Sequence, residues 1–173
     1  MSSFCVLLSS LSLKISIVKP YKKIQMAFFL QSVTLAQLNA TSQGNMIGEL
    51  GIEYIEVGED YLAAKMPVNH KTKQPLGLLH GGASVALAET VGTMASYLLV
   101  DSNYYDVVGL EINANHIRKA SDGYVYATAK PLHIGKSTHV WDIQLTNEQG
   151  MLICVSRLTV AVMPKKNFKA KVV

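Results

Sequence analysis

Residues 76–100 read LGLLHGGASVALAETVGTMASYLLV, and Glu89 is the only Asp, Glu, Lys or Arg among them. At 100° per residue, Gly82, Ala86, Glu89, Thr93 and Ser96 form one stripe of a helix, while Leu87, Val91, Met94, Ala95 and Leu98 gather on the opposite side. A surface helix carries several charges along its polar face. This pattern therefore predicts a helix from about Gly81 to Val100 that is buried almost all round. A carboxylate in such a helix costs several kcal/mol unless it has a partner, a solvent-filled cleft or a chemical task. It could also be an exposed position, or a carboxylate hydrogen-bonded at a dimer seam. What surrounds it favours chemistry. His80-Gly81-Gly82 places backbone N–H groups at the helix N-terminus with no side chain blocking access, a site for a developing oxyanion. Gln74 lies just before it and Thr93 one turn after Glu89. An acceptor, amide and hydroxyl donors, an imidazole and an oxyanion site suit acyl transfer to water.

Outward from this helix the chain has a readable order. Ser32 or Thr34 can cap a short helix carrying Leu35 and Leu38, which ends in the loop SQGN. GIEYIEV and YLAAKMPV read as strands joined at Gly58-Glu59-Asp60 in a hairpin. Beyond the helix, four strands are expected at Val107–Arg118, Gly123–Leu132, Thr138–Thr146 and Met151–Met163, with turn residues between them. In the first of these, Val108, Leu110, Ile112 and Ala114 share a face by alternation, and His116 and Arg118 continue it. Strands do not alternate with helices, so a doubly wound parallel sheet is disfavoured. The layout is α+β, one antiparallel sheet with one long central helix.

A chain of 173 residues, 49 % of them apolar and 16 % charged, fits one domain with one core. The net charge of +4 invites a nucleic-acid reading. Four lysines lie in the first 26 residues and four more follow Pro164, with no acid in either segment, leaving eight basic against twelve acidic residues between them. The basic character belongs to the tails, so neither nucleic acid nor a membrane is an expected partner of the folded part. Cys5 and Cys154 are far apart with no C-x-x-C, which fits a reducing cytoplasm. The apolar opening has no basic residue before it and is too short to span a bilayer. Met26 begins the helical pattern, so residues 1–25 read as an extension or a misassigned start, 26–163 as the domain and 164–173 as a basic tail.

Other chemistries find less support. The His-Gly-Gly start has no G-x-S-x-G elbow beside it; Ser84 sits in GGASVA. The five histidines show no H-E-x-x-H and no cysteine companions, so no metal is expected. His133 and His139 read as turn and strand-edge residues, and Cys154 as a small core residue. No nucleotide-binding glycine motif is present.

The set Gln74-Pro75-x-Gly77-x-Leu79-His80-Gly81-Gly82 with Glu89 and Thr93, followed by VVGLEINANHIR, resembles the hotdog-fold acyl-CoA thioesterases of the PaaI-like, Arthrobacter-type 4-hydroxybenzoyl-CoA branch. TKQPLGLLHGGASVALAE, GLEINANH and SRLTVAV look in particular like the bacterial 1,4-dihydroxy-2-naphthoyl-CoA hydrolases of menaquinone biosynthesis and their enterobactin-pathway proofreading relatives. The likeness covers about Thr34 to Met163. It implies a hotdog fold, an antiparallel sheet wrapped around the helix, paired through sheet edges into a homodimer and commonly a homotetramer. It implies an acyl-CoA substrate, with acyl carrier protein as an alternative partner, and no cofactor, coenzyme A being part of the substrate. Carried over, Gly81 would donate its N–H to the thioester oxygen, and Gln74 and His80 would orient the thioester or assist the leaving thiolate. Glu89 of the neighbouring subunit would act as nucleophile or general base, with Thr93 holding the water. Gly82, His116, Arg118, Lys136 and Ser137 would line the coenzyme A path. A hotdog dehydratase would use a different acid–base set, and a binding module would have discarded the carboxylate.

Overall fold

The computed structural model describes residues 28–166. The expected extension over 1–25, Cys5 and the end of the basic tail lie outside the described residues. Thr34 caps α1 (Leu35–Ala40) in a reciprocal box: the Gln37 amide donates to Thr34 Oγ1 at 3.2 Å and the Thr34 amide to Gln37 Oε1 at 2.9 Å. The loop expected at SQGN runs on into a short second helix, α2 (Met46–Glu49), capped by Asn45. One turn is too short to show a hydrophobic period, so no sequence pattern announced it.

Strands β1 (Glu53–Val57) and β2 (Leu62–Pro67) form the expected hairpin, and α3 spans Gly81–Leu98. Four long strands follow: β3 (Tyr105–His116), β4 (Tyr124–Ile134), β5 (Thr138–Asn147) and β6 (Leu152–Pro164). Together the six form one antiparallel sheet in the order β1-β2-β4-β5-β6-β3. Helix α3 packs against β2 to β6, so the sheet curls around it. The edge strand β1 is tied to α1 by the Asn39 side chain, which accepts from the Tyr54 amide at 2.7 Å and donates to the Tyr54 carbonyl at 2.9 Å. No helix among the described residues is long and apolar enough to cross a membrane.

The core lies between α3 and the concave face of the sheet. Leu87, Val91, Ala95 and Leu98 of the helix meet Trp141, Ile143, Leu145, Leu158 and Val160, all fully buried. At Gly92 the two layers approach closely: a Cβ there would sit 2.6 Å from Leu158 Cδ2. Ser96, grouped by periodicity with Glu89, instead accepts a hydrogen bond from Trp141 Nε1 at 2.7 Å inside the core. This satisfies the indole at the one buried tryptophan. The helix is not buried all round as its composition predicts, because its Ala86–Glu89–Thr93 face borders a cavity and those residues are half-buried.

Two strand expectations are corrected. In β3, Gly109 opposes Val160 but Glu111 opposes Thr159, so Leu110 is the extra residue of a β-bulge. Val107 and Gly109 face the helix before it, Ile112 and Ala114 pack on the core after it, and Val108 and Leu110 are exposed. Simple alternation, which puts Val108 and Leu110 inward, cannot see a bulge. His139 is not an edge residue either. It lies on the inner face of a central strand, 2 % exposed, with Nδ1 lacking a hydrogen-bond partner among the described residues.

Burial holds the His139 imidazole below its ordinary value of 6.5; His133 nearby acts in the same sense and a backbone contact with Gly135 against it. Above pH 6.5 neither folded nor unfolded chain binds this proton, and the contribution to stability is fully present. As pH falls through 6.5 the unfolded chain takes up a proton that the fold refuses, and stability is lost until the depressed folded value is passed. Thermal melts between about pH 7.5 and 5.5 should therefore fall less steeply for His139→Leu than for the parent. Parallel slopes would show that His139 does not carry the effect.

Candidate active site

The loop before α3 shapes the first part of the site. His80 is the N-cap of α3, and its Nδ1 accepts the Gly82 amide at 2.8 Å. This leaves the ring proton on Nε2 and uses up the Gly82 N–H. Of the two glycine amides at this terminus, only that of Gly81 makes no hydrogen bond to the described residues. Gly81 also lies against His116 from the end of β3; a Cβ on Gly81 would meet His116 Nε2 at 2.7 Å. Gln74 is held by its loop: its side-chain oxygen accepts the Leu76 amide at 2.6 Å, and its NH₂ group makes no hydrogen bond among the described residues.

Gln74, Gly81, His116, Arg118 and Lys119 line a cleft of about 330 Å³ with Leu78, Leu79 and Ile153 at its base. Arg118 is anchored by a hydrogen bond from Nη1 to the Leu152 carbonyl at 2.8 Å. The cleft combines a free backbone donor, an amide and three cationic or imidazole groups, so it is suited to oxygen atoms with negative charge.

Glu89 lies in a second, apolar chamber of about 440 Å³, walled by Met46, Ile47, Tyr54 and Val107, with Ala86, Thr90, Thr93, Met94 and Tyr97 on its own helix. It is the one carboxylate of that wall. Among the described residues Glu89 makes no ion pair, and no side-chain hydrogen bond holds it. Helix α2, which sequence reasoning did not foresee, supplies Met46 and Ile47. Tyr54 is a second wall residue it missed: it is 1 % exposed, its hydroxyl has no hydrogen-bond partner among the described residues, and burial drives its pKa upward. Cys154 is buried, and that burial pushes its thiol up against a weaker pull from a backbone hydrogen bond near Asn115, as suits a core residue.

The structure divides the expected site residues into two groups. Gln74, Gly81, His116 and Arg118 share the cleft, and Glu89 and Thr93 share the chamber, with no lining residue in common. Eight residues separate Gly81 from Glu89 along α3, about 12 Å of helix rise. His80 and Gly82 stand at the helix start and line neither cavity. Lys136 and Ser137 are exposed in the β4–β5 turn and also line neither. The Ser137 carbonyl accepts from Val162, which pairs with Val107, whereas His116 pairs with Cys154. Val107 and His116 are nine residues apart on β3, about 30 Å of strand. The set expected to line one coenzyme A path therefore does not meet within one chain.

The sequence profile of the thioesterase superfamily matches residues 76–154. The chain is 52 % identical over 133 residues to the 1,4-dihydroxy-2-naphthoyl-CoA hydrolase of Escherichia coli, covering 77 % of this chain and 97 % of that one. It is 52 % identical to a proofreading thioesterase of Cronobacter turicensis, over 76 % of this chain and 95 % of the relative. A crystal structure of a mutant thioesterase from Pseudomonas aeruginosa superposes with a TM-score of 0.79 at 48 % identity, over 80 % of this chain and 99 % of that one.

Proposed function

Because this chain belongs to the thioesterase superfamily, an enzyme family with the hotdog fold found here, we propose that it hydrolyses aromatic acyl-CoA thioesters, with 1,4-dihydroxy-2-naphthoyl-CoA as the first candidate. The observation that carries this reading is the chamber: an apolar wall of aromatic and methionine side chains with a single carboxylate. Such a wall takes up an apolar acyl group by surface burial and leaves Glu89 as the one group able to act on its carbonyl.

Glu89 attacks the thioester carbon, or removes a proton from water held by Thr93 that does so. The carbonyl oxygen takes the negative charge and accepts from the Gly81 amide, assisted by the NH₂ of Gln74. Collapse of the intermediate breaks the C–S bond and returns the electron pair to sulfur, and the thiolate takes the proton that Glu89 removed from water or, after direct attack, one from solvent. Direct attack leaves an anhydride that water then opens; a single turnover in ¹⁸O-water places label on Glu89 only by that route. Gly81 and Glu89 of one chain are too far apart to serve one carbonyl. Glu89 therefore serves the cleft of a second subunit in a homodimer, and β3, an edge strand of the sheet among the described residues with Val108 and Leu110 exposed, is the place where two sheets would join. A tetramer of two such dimers fits the same scheme. Lys136 and Ser137, at the chamber end of the sheet, would then approach a coenzyme A that His116 and Arg118 of the other subunit hold.

Thiol release from a panel of aryl-CoA, straight-chain acyl-CoA and acyl carrier protein conjugates tests this reading. The expected order of kcat/KM is aryl-CoA above straight-chain acyl-CoA, with carrier-protein conjugates accepted by a proofreading enzyme. No release from any thioester would refute the catalytic assignment, and a carrier-protein preference would favour the proofreading role.

A further inference from the structure

Glu89 has neither ion pair nor side-chain hydrogen bond among the described residues to fix its carboxylate, so what holds it must be shape. Its Oε1 lies over β3 at Gly109: a Cβ built there would be 2.5 Å from Oε1 and 3.4 Å from the carboxyl carbon. That is well inside van der Waals contact. Backbone conformation does not demand glycine here. Its φ is not in the left-handed region, unlike those of Gly44, Gly51, Gly77, Gly123 and Gly150. Glycine inside a strand costs about 0.5–1 kcal/mol relative to alanine. The bulge at Leu110 immediately follows: Val107 and Gly109 are turned to the helix, Leu110 and Glu111 are both exposed, and Ile112 returns to the core.

We infer that Gly109 is a positioning residue for Glu89: the missing side chain leaves the space in which the carboxylate rests, and the strand backbone is the floor that sets its depth in the chamber. Ala86 and Thr93, one turn to either side on α3, flank it. A floor and two flanks hold the carboxylate by shape alone, with no cation to compete with the thioester for it. An arginine or lysine in the same place would hold it as well but would weaken it as a nucleophile or base.

This inference rests on Glu89 being the reacting carboxylate, and the test separates the two. Gly109→Ala should lower kcat on an aryl-CoA about a hundredfold, the scale of an ångström-sized misplacement, with KM changed less than about threefold. In a Glu89→Asp background the carboxylate is one methylene shorter and clears the added methyl. There the same alanine should change kcat less than about threefold, so the two substitutions are strongly non-additive. If Gly109→Ala also lowers Tm, the Glu89→Asp change should restore it. Near-parental kcat in Gly109→Ala, an equal loss in both backgrounds, or a Tm that Glu89→Asp leaves lowered would each overturn the positioning role while leaving the thioesterase reading intact. A parent protein without thioesterase activity would overturn both.

Discussion

Glu89→Gln should retain the fold and bind substrate, yet lose about a thousandfold or more in kcat, the range seen when a general base or nucleophile is removed. The substitution keeps the shape of the side chain, so the new amide fits over Gly109 where the carboxylate lay. No described cation is left unpaired by it, because Glu89 has no ion pair. A stability change beyond about 1 kcal/mol is therefore not expected, in line with a substitution that neither opens a cavity nor orphans a partner. The decisive comparison is between turnover and binding: kcat from thiol release, and affinity from calorimetry with a non-hydrolysable thioether analogue. Loss of both would assign Glu89 to binding, and loss of neither would remove it from the site.

The helix that decides the fold was legible because its signal is local and long. Eighteen residues with one charge, opened by His-Gly-Gly, allow few alternatives, and α3 begins at Gly81 as expected. The strands were legible for the same reason, within one or two residues at most ends. What alternation could not give was β3. One extra residue at Leu110 changes which side chains face inward, and no residue type marks that insertion, since Gly109 reads equally as a bulge or a close approach. Helix α2 was missed because four residues carry no period, although it walls the chamber. His139 was misplaced because a histidine near a glycine turn suggests solvent, whereas strand order buries it.

The site shows the same division. Residue types gave the chemistry, since a solitary acid in an apolar helix and a bare helix N-terminus are visible in one dimension. Geometry had to decide which atoms are free. Periodicity offers both glycine amides to an oxyanion, but the His80 ring takes that of Gly82 and leaves that of Gly81. Spacing also places Gly81 and Glu89 on one helix, which suggests cooperation within the chain; the rise of α3 and the two separate cavities argue the opposite.

If the reacting groups come from two subunits, two inactive variants should rescue one another. Gly81→Ala puts a methyl group 2.7 Å from His116 Nε2 and so displaces the amide from the oxyanion position. Alone it should cost about a hundred- to a thousandfold in kcat, the scale for loss of one oxyanion donor. In a mixed dimer of Gly81→Ala and Glu89→Gln protomers, one site combines both defects and is dead. The other takes its Gly81 from the Glu89→Gln protomer and its Glu89 from the Gly81→Ala protomer, and is intact. Random pairing makes half the dimers mixed, each with one working site of two, so co-expression should return about a quarter of the parental activity for a closed two-fold assembly. Separately purified variants, mixed without subunit exchange, should return none. A site built within one chain gives a different result: every protomer then carries one defect, and no pairing restores turnover. The rescue thus reads the distance between Gly81 and Glu89 as a rate, and it needs no knowledge of the acyl group beyond one thioester that the parent hydrolyses.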